Sequence, residues 1–130
     1  MAEEQQEQTH CGWRSEFERR PLWAPWRLEY IKGIGKESGC FFCRKAGTPE
    51  KDCENYVVAR GNSVFLLLNA FPYNSGHVLV APYRHVGDLS DCSSEEQQEM
   101  MSLVTKLKDL MVRLMEPDGF NFGYNIGEAA

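Results

Sequence analysis

The sequence predicts an α+β domain on three observations. Two apolar segments, YVVAR (56–60) and SVFLLLNA (63–70), flank a Gly61-Asn62 pair that reads as a tight turn. A third apolar segment, HVLVA (77–81), follows the turn-forming stretch FPYNSG (71–76) and ends near Pro82. Beyond them, a helical pattern opens at Ser93. Consecutive strands followed by a helix describe an antiparallel meander with the helix laid on one face.

In chain order, the first stretch is MAEEQQEQTHCG (1–12). It is acidic and polar with no apolar core, which predicts a disordered tail and not a secretory signal. Residues 13–39 form an aromatic arm, in which Trp13, Trp23 and Trp26 sit among arginines and Pro21 and Pro25 argue against one continuous helix. The arm reads either as a cover over the core or as the wall of a ligand pocket, where an indole stacks on a base. A glycine-punctuated loop, GIGKESGCFFCRKAG, then carries Cys40 and Cys43, and the three strand segments follow.

Helix signals come next. Ser93 with Glu96 fits a capping box. Met100, Leu103, Val104, Leu107, Leu110, Met111 and Leu114 recur as one apolar stripe, and Pro117 and Gly119 stop the pattern. The closing segment FNFGYNIG (120–127) sets Phe120, Phe122, Tyr124 and Ile126 on one side and Asn121, Gly123 and Asn125 on the other. That alternation predicts a fourth strand.

The chain has 130 residues, enough for one domain with its own core. A net charge of -5 argues against general affinity for DNA, RNA or anionic membrane, although a small anion held in a local pocket remains compatible. The longest unbroken apolar run is VFLLL (64–68), far short of the about 20 residues that span a bilayer. Five cysteines are an odd number, which suits a reduced, cytoplasmic chain better than a disulfide scaffold.

Cys40-x-x-Cys43 lets two thiolates converge on one zinc ion, but a redox pair or two structural thiols use the same spacing. The redox reading needs a thioredoxin-like β-α-β context, and none follows. His85, in a loop just past a strand end, is the best third ligand; Cys53, Cys92 and His10 are badly patterned for the task. His77 opens a strand after Asn74-Ser75-Gly76 and reads either as a half-buried histidine satisfied by a carbonyl or as part of a catalytic hydrogen-bond network. Asn69 and Asn125 both end apolar segments, where an amide holds a sugar hydroxyl or a phosphate oxygen, or merely caps a turn. Eight extended residues separate His77 from His85 by about 26 Å, which points to two sites rather than one. No Walker A loop, no G-x-S-x-G and no His-Glu-x-x-His occurs.

The run LLLNAFPYNSGHVLVAPYRHVGDLSD, the capped helix and FNFGYNIGEAA together resemble the histidine-triad (HIT) superfamily. LWAPWRLEYI and the Cys-x-x-Cys resemble its diadenosine tetraphosphate phosphorylase and hydrolase branch. The resemblance covers roughly residues 22 to 130, and its most specific part is Asn69, Pro72, Gly76, His77, Leu79 and Val80. It implies an antiparallel sheet with one long helix, a homodimer, and nucleotidyl transfer or hydrolysis on dinucleoside polyphosphates or related nucleotides through a nucleotidyl-histidine. By the motif, Asn69 holds the ribose, His77 supports the catalytic histidines and Asn125 lies by the phosphate. Zinc-bearing members imply Cys40, Cys43 and His85 as ligands, with a triad histidine as the fourth. The family's His-x-His-x-His does not occur before Ala130. The expectation is therefore a fragment in which residues 40–130 form an incomplete HIT-like domain, with the C-terminal strand, the nucleophile and the fourth ligand missing. The alternative is a non-catalytic zinc- or nucleotide-binding module.

Overall fold

VFLLL is apolar at every position, and a strand of that kind is buried on both faces. In the computed structural model, which describes residues 24–33 and 38–127, it becomes β2 (Val64–Leu68), with Val64, Phe65, Leu66 and Leu67 all buried. β1 (Val57–Arg60) and β3 (Val78–Pro82) flank it, giving an antiparallel sheet in the order β1-β2-β3. Val64 faces Pro82 and Leu68 faces Val78, so the β2–β3 register is continuous. A bulge between Val57 and Ala59 breaks the β1–β2 register. The predicted tail 1–12, and Trp13 and Trp23 of the predicted arm, lie outside the described residues.

Successive strand residues point to opposite faces. Phe65 and Leu67, with Ala81 of β3, form the core cluster against which Phe42, Ala46, Leu79 and Tyr83 pack. Phe65 stacks on Tyr83 at a centroid distance of 5.4 Å and meets Phe42 edge-on. The opposite face belongs to the long helix, which packs on β2 and β3 and buries Met100. Two short helices precede the sheet: α1 (Leu28–Gly33), entered through a 3-10 turn at Pro25–Arg27, and α2 (Phe41–Ala46). The long helix, α3, spans Ser94–Met115.

α3 starts where its sequence signals put it. The Ser93 hydroxyl accepts from the Glu96 amide at 3.2 Å, and the Glu96 carboxylate accepts from the Ser93 amide at 2.8 Å. Its apolar stripe is covered only in part: Leu103, Val104 and Leu107 are half-buried, whereas Leu110 is 42% and Leu114 73% exposed. Length explains the difference. At about 1.5 Å per residue the helix is about 33 Å long, while a five-residue strand covers about 17 Å. The far half of α3 overhangs the sheet.

Two sequence expectations need correction. Residues 120–127 form no strand; among the described residues they pair with no neighbour, and every one is exposed. Alternation supplies a face, but a strand exists only through a ladder with a partner. The glycine-punctuated loop also does not extend through the cysteines, because Phe41–Ala46 is helical. Packing of Phe42 and Ala46 on the core cluster stabilises that turn where local propensity is weak.

Candidate functional site

β3 separates two clusters of polar side chains. Beyond its C-terminal end lies His85, opposite Cys40 and Cys43. Cys40 is the N-cap of α2 and Cys43 sits one turn later, so the two thiols share a side of the helix. The Cys43 Sγ lies 3.2 Å from His85 Nδ1, and the ligand atoms of all three residues fall within 4.8 Å of one another.

Two arginines hold this arrangement. Arg60, at the end of β1, grips Asp52 through Nε and Nη2 at 2.9 and 2.7 Å and donates to the carbonyls of Lys45 and Ala46 at 3.0 and 3.1 Å. It thereby satisfies the last carbonyls of α2, which have no partner inside the helix. Arg84, next to His85, forks onto Glu96 at 2.8 and 2.7 Å and donates to the Asp91 carbonyl. Its guanidinium, followed by the Ser93 amide, holds the Glu96 carboxyl down at about 2. Arg84 thus ties the His85 loop to the cap of α3.

The thiols differ. Burial alone would raise Cys40, but hydrogen bonds from the Cys43 backbone and thiol and the Phe42 amide, with the nearby Arg44 charge, outweigh it and leave Cys40 below the usual thiol range. Cys43 is pushed up, first by its bond to the Cys40 thiol and then by desolvation. The donor set fits zinc. Ligands at about 2.3 Å for sulfur and 2.0 Å for nitrogen stand about 3.5–3.8 Å apart on a tetrahedron; here Cys43 Sγ and His85 Nδ1 are 3.2 Å apart and all three atoms lie within 4.8 Å of one another.

The other end of β3 is built from backbone. The Asn69 amide donates to the His77 carbonyl at 3.0 Å, and the His77 amide donates to the Asn74 carbonyl at 3.2 Å, closing the loop between β2 and β3. Gly76 takes φ +79 there, a conformation other residues rarely adopt. The Asn69 Oδ1 accepts from the Phe71 amide at 2.9 Å, which leaves its Nδ2 beside the His77 ring at 3.4 and 3.5 Å. The Tyr73 amide donates to His77 Nδ1 at 3.1 Å. Nδ1 is therefore an acceptor, and in the neutral ring the proton sits on Nε2. Desolvation, and then the Arg27 charge, lower the imidazole below its usual range.

Residues 50–130 match the HIT domain. The chain belongs to the HIT family. It is 36% identical over 125 residues to AP-4-A phosphorylase of Mycobacterium tuberculosis, in both strain CDC 1551 / Oshkosh and strain ATCC 25618 / H37Rv. The alignment takes in 92% of this chain and 63% of that protein, so the chain spans under two thirds of the curated relatives' length. An uncharacterized 16.1 kDa HIT-like protein of Mycoplasma pneumoniae is 28% identical over 93 residues, covering 72% of this chain and 62% of that one.

The HIT match contains Asn69, His77, His85 and Asn125 but not Cys40, Cys43 or the Pro25–Gly33 segment. Of the residues singled out from the sequence, Cys40, Cys43 and His85 come together, as do Asn69 and His77. Asn125 does not join the second group; it is exposed on the irregular 120–127 segment. His10 lies outside the described residues. Sequence reasoning missed Arg60, Arg84 and Arg27. Each acts on a partner distant in sequence or through backbone carbonyls, and the one available hint was Arg27 lying beside Trp26 in the aromatic arm.

Proposed function

We propose that this chain is the nucleotide-holding part of a HIT phosphorylase or hydrolase acting on dinucleoside polyphosphates or related nucleotides. The observation that carries the reading is the Asn69–His77 pair, with two N–H donors, Asn69 Nδ2 and His77 Nε2, held side by side at one end of the sheet. Asn69 Nδ2 spends one hydrogen toward His77 Nδ1 at 3.4 Å and keeps a second, and that hydrogen with His77 Nε2–H suits ribose hydroxyls and phosphate oxygens. The 36% identity to an AP-4-A phosphorylase supports the substrate class.

In the proposed reaction a histidine attacks the phosphorus next to the nucleoside. A P–N bond forms and the P–O bond to the remaining phosphates breaks; water or inorganic phosphate then displaces the histidine. Asn69 holds the ribose, His77 supports the histidine network and Asn125 meets the phosphate once its segment is ordered against the sheet. None of the chain's three histidines lies in a His-x-His-x-His, so the proposal assigns the nucleophile to residues other than these 130. Zinc on Cys40, Cys43 and His85, with a further histidine as fourth ligand, would cross-link α2 to the loop after β3. The exposed apolar residues of α3 and of 120–126 support a homodimer, and the odd number of cysteines, unpaired among the described residues, supports a cytoplasmic setting.

The test joins the chain to a C-terminal segment carrying His-x-His-x-His and incubates it with diadenosine tetraphosphate. Turnover with a covalent nucleotidyl adduct is expected in the extended protein and not in the 130 residues alone. Absence of both from a folded extended protein would refute the enzyme reading. One observation favours a second reading, a non-catalytic zinc-binding module: the Cys40, Cys43 and His85 donors are assembled without help from the Asn69–His77 end. Zinc bound stoichiometrically by an extended protein that binds no nucleotide would favour that module.

A further inference from the structure

The segment Pro25–Gly33 lies outside the HIT match, yet it docks on the turn that carries His77. Two consecutive side chains reach two consecutive carbonyls: the Trp26 indole N–H donates to Pro72 O, and the Arg27 guanidinium donates to Phe71 O. Tyr30 packs its ring on Phe71 with centroids 5.3 Å apart. Arg27 also lies 3.9 Å over the Tyr73 ring, and that ring stacks on the His77 imidazole at 5.5 Å. Cation, phenol ring and imidazole thus form one column, and the backbone amide of the same Tyr73 is the donor to His77 Nδ1.

This column has a chemical consequence. The Tyr73 amide fixes which imidazole nitrogen accepts, and a cation one ring away opposes a second proton. Among the described residues of the arm, Arg27 is the charged group acting on His77. α3 approaches the same turn with uncharged Met111 and Met115, whose ends lie 3.3 and 3.5 Å from where a Cβ on Gly76 would stand. The proton on Nε2 is then the one available to a ligand.

We propose that Arg27 is a positioning residue of the nucleotide site: it pins the 71–77 turn and keeps His77 a neutral Nε2–H donor beside the Asn69 amide. The proposal rests on Asn69 and His77 as the nucleotide end, and it adds an element the HIT match does not contain. A ligand there meets a donor pair set by the arm, and loosening the arm frees the imidazole to change tautomer and charge.

The test follows the His77 ring nitrogens by NMR across a pH titration of the 130-residue chain, of Arg27→Gln and of Arg27→Lys. Gln keeps a donor for Phe71 O and loses the charge; Lys keeps the charge. The unaltered chain should show the Nε2–H tautomer. Arg27→Gln should move the protonation midpoint of His77 upward and admit the other tautomer, and Arg27→Lys should restore the original behaviour. Thermal melts confirm that each variant is folded, and a Trp26→Phe variant, which gives up the indole donor and part of the ring but keeps the Arg27 contact to Phe71 O and its charge over Tyr73, should leave the midpoint in place. A Gln variant that titrates like the unaltered chain, or a Lys variant that titrates like Gln, would overturn the proposal. AMP serves as the ligand probe, and its Kd should weaken about tenfold in Arg27→Gln. If AMP fails to bind the unaltered chain while His77 responds as described, the nucleotide reading fails and the hold of Arg27 on His77 stands.

Discussion

The two ends of β3 are made differently. At the Cys40–Cys43–His85 end the chemistry is in the side chains: three donors converge on one point, two delivered by α2 and one by the loop after β3. At the Asn69–His77 end the backbone sets the chemistry: two main-chain amides, of Phe71 and Tyr73, fix the side-chain roles, and an arm 44 residues away in sequence holds the turn. A convergent set of three donors needs an ion and a fourth ligand to complete it. A site whose side-chain donors are oriented by backbone amides has its geometry fixed in advance and leaves its ligand to be supplied from outside. The first end should therefore respond to metal and to thiol chemistry, the second to charge and to turn geometry.

The largest disturbance should strike both ends at once. Phe65→Ala removes a fully buried ring that packs against Phe42, between the two cysteines, and against Tyr83 beyond β3. A loss of about 3–5 kcal/mol in denaturant unfolding is expected. Next, Cys40→Ser should abolish stoichiometric zinc by elemental analysis and leave the His77 resonances in place; unchanged stoichiometry would rule Cys40 out as a ligand. Gly76→Ala should act on the other end alone. It forces a side chain into φ +79 and against the end of Met111, at a cost of about 1–2 kcal/mol. Ser93→Ala should cost about 1 kcal/mol through the lost cap and move neither site's ligand affinity.

Acid should separate the ends as well. A histidine with a lowered folded value contributes stability that is complete above the ordinary imidazole value and fades as pH falls through the folded one, so the His77 turn weakens below about 6.5. The Glu96 contribution is complete above the ordinary carboxylate value and fades between about 4.5 and about 2. Melting followed against pH should show the His77 decline first and the Arg84–Glu96 tie failing last.

What the sequence made legible follows the same division. β2 and the start of α3 were readable because their signals are local: an unbroken apolar run, and a serine with a glutamate three residues later. The convergence of Cys40 and Cys43 was readable from spacing, and His85 from its place after a strand. The 120–127 strand was misread, since alternation at Phe120, Phe122 and Tyr124 describes a face without naming the edge it would join. The α2 helix was missed because packing of Phe42 decides it. Arg27, Arg60 and Arg84 escaped for one reason: an arginine that donates to a carbonyl leaves no mark on the residue it holds.

If β3 keeps two independent sites apart, the two ends should respond separately in one NMR experiment. The 130-residue chain is titrated first with zinc and then with AMP, and the histidine and asparagine side-chain resonances are followed throughout. Zinc should shift His85 and leave His77 in place, and AMP should then shift Asn69 and His77 with the His85 signal unmoved. Zinc that shifts His77, or AMP that displaces zinc from His85, would contradict that separation.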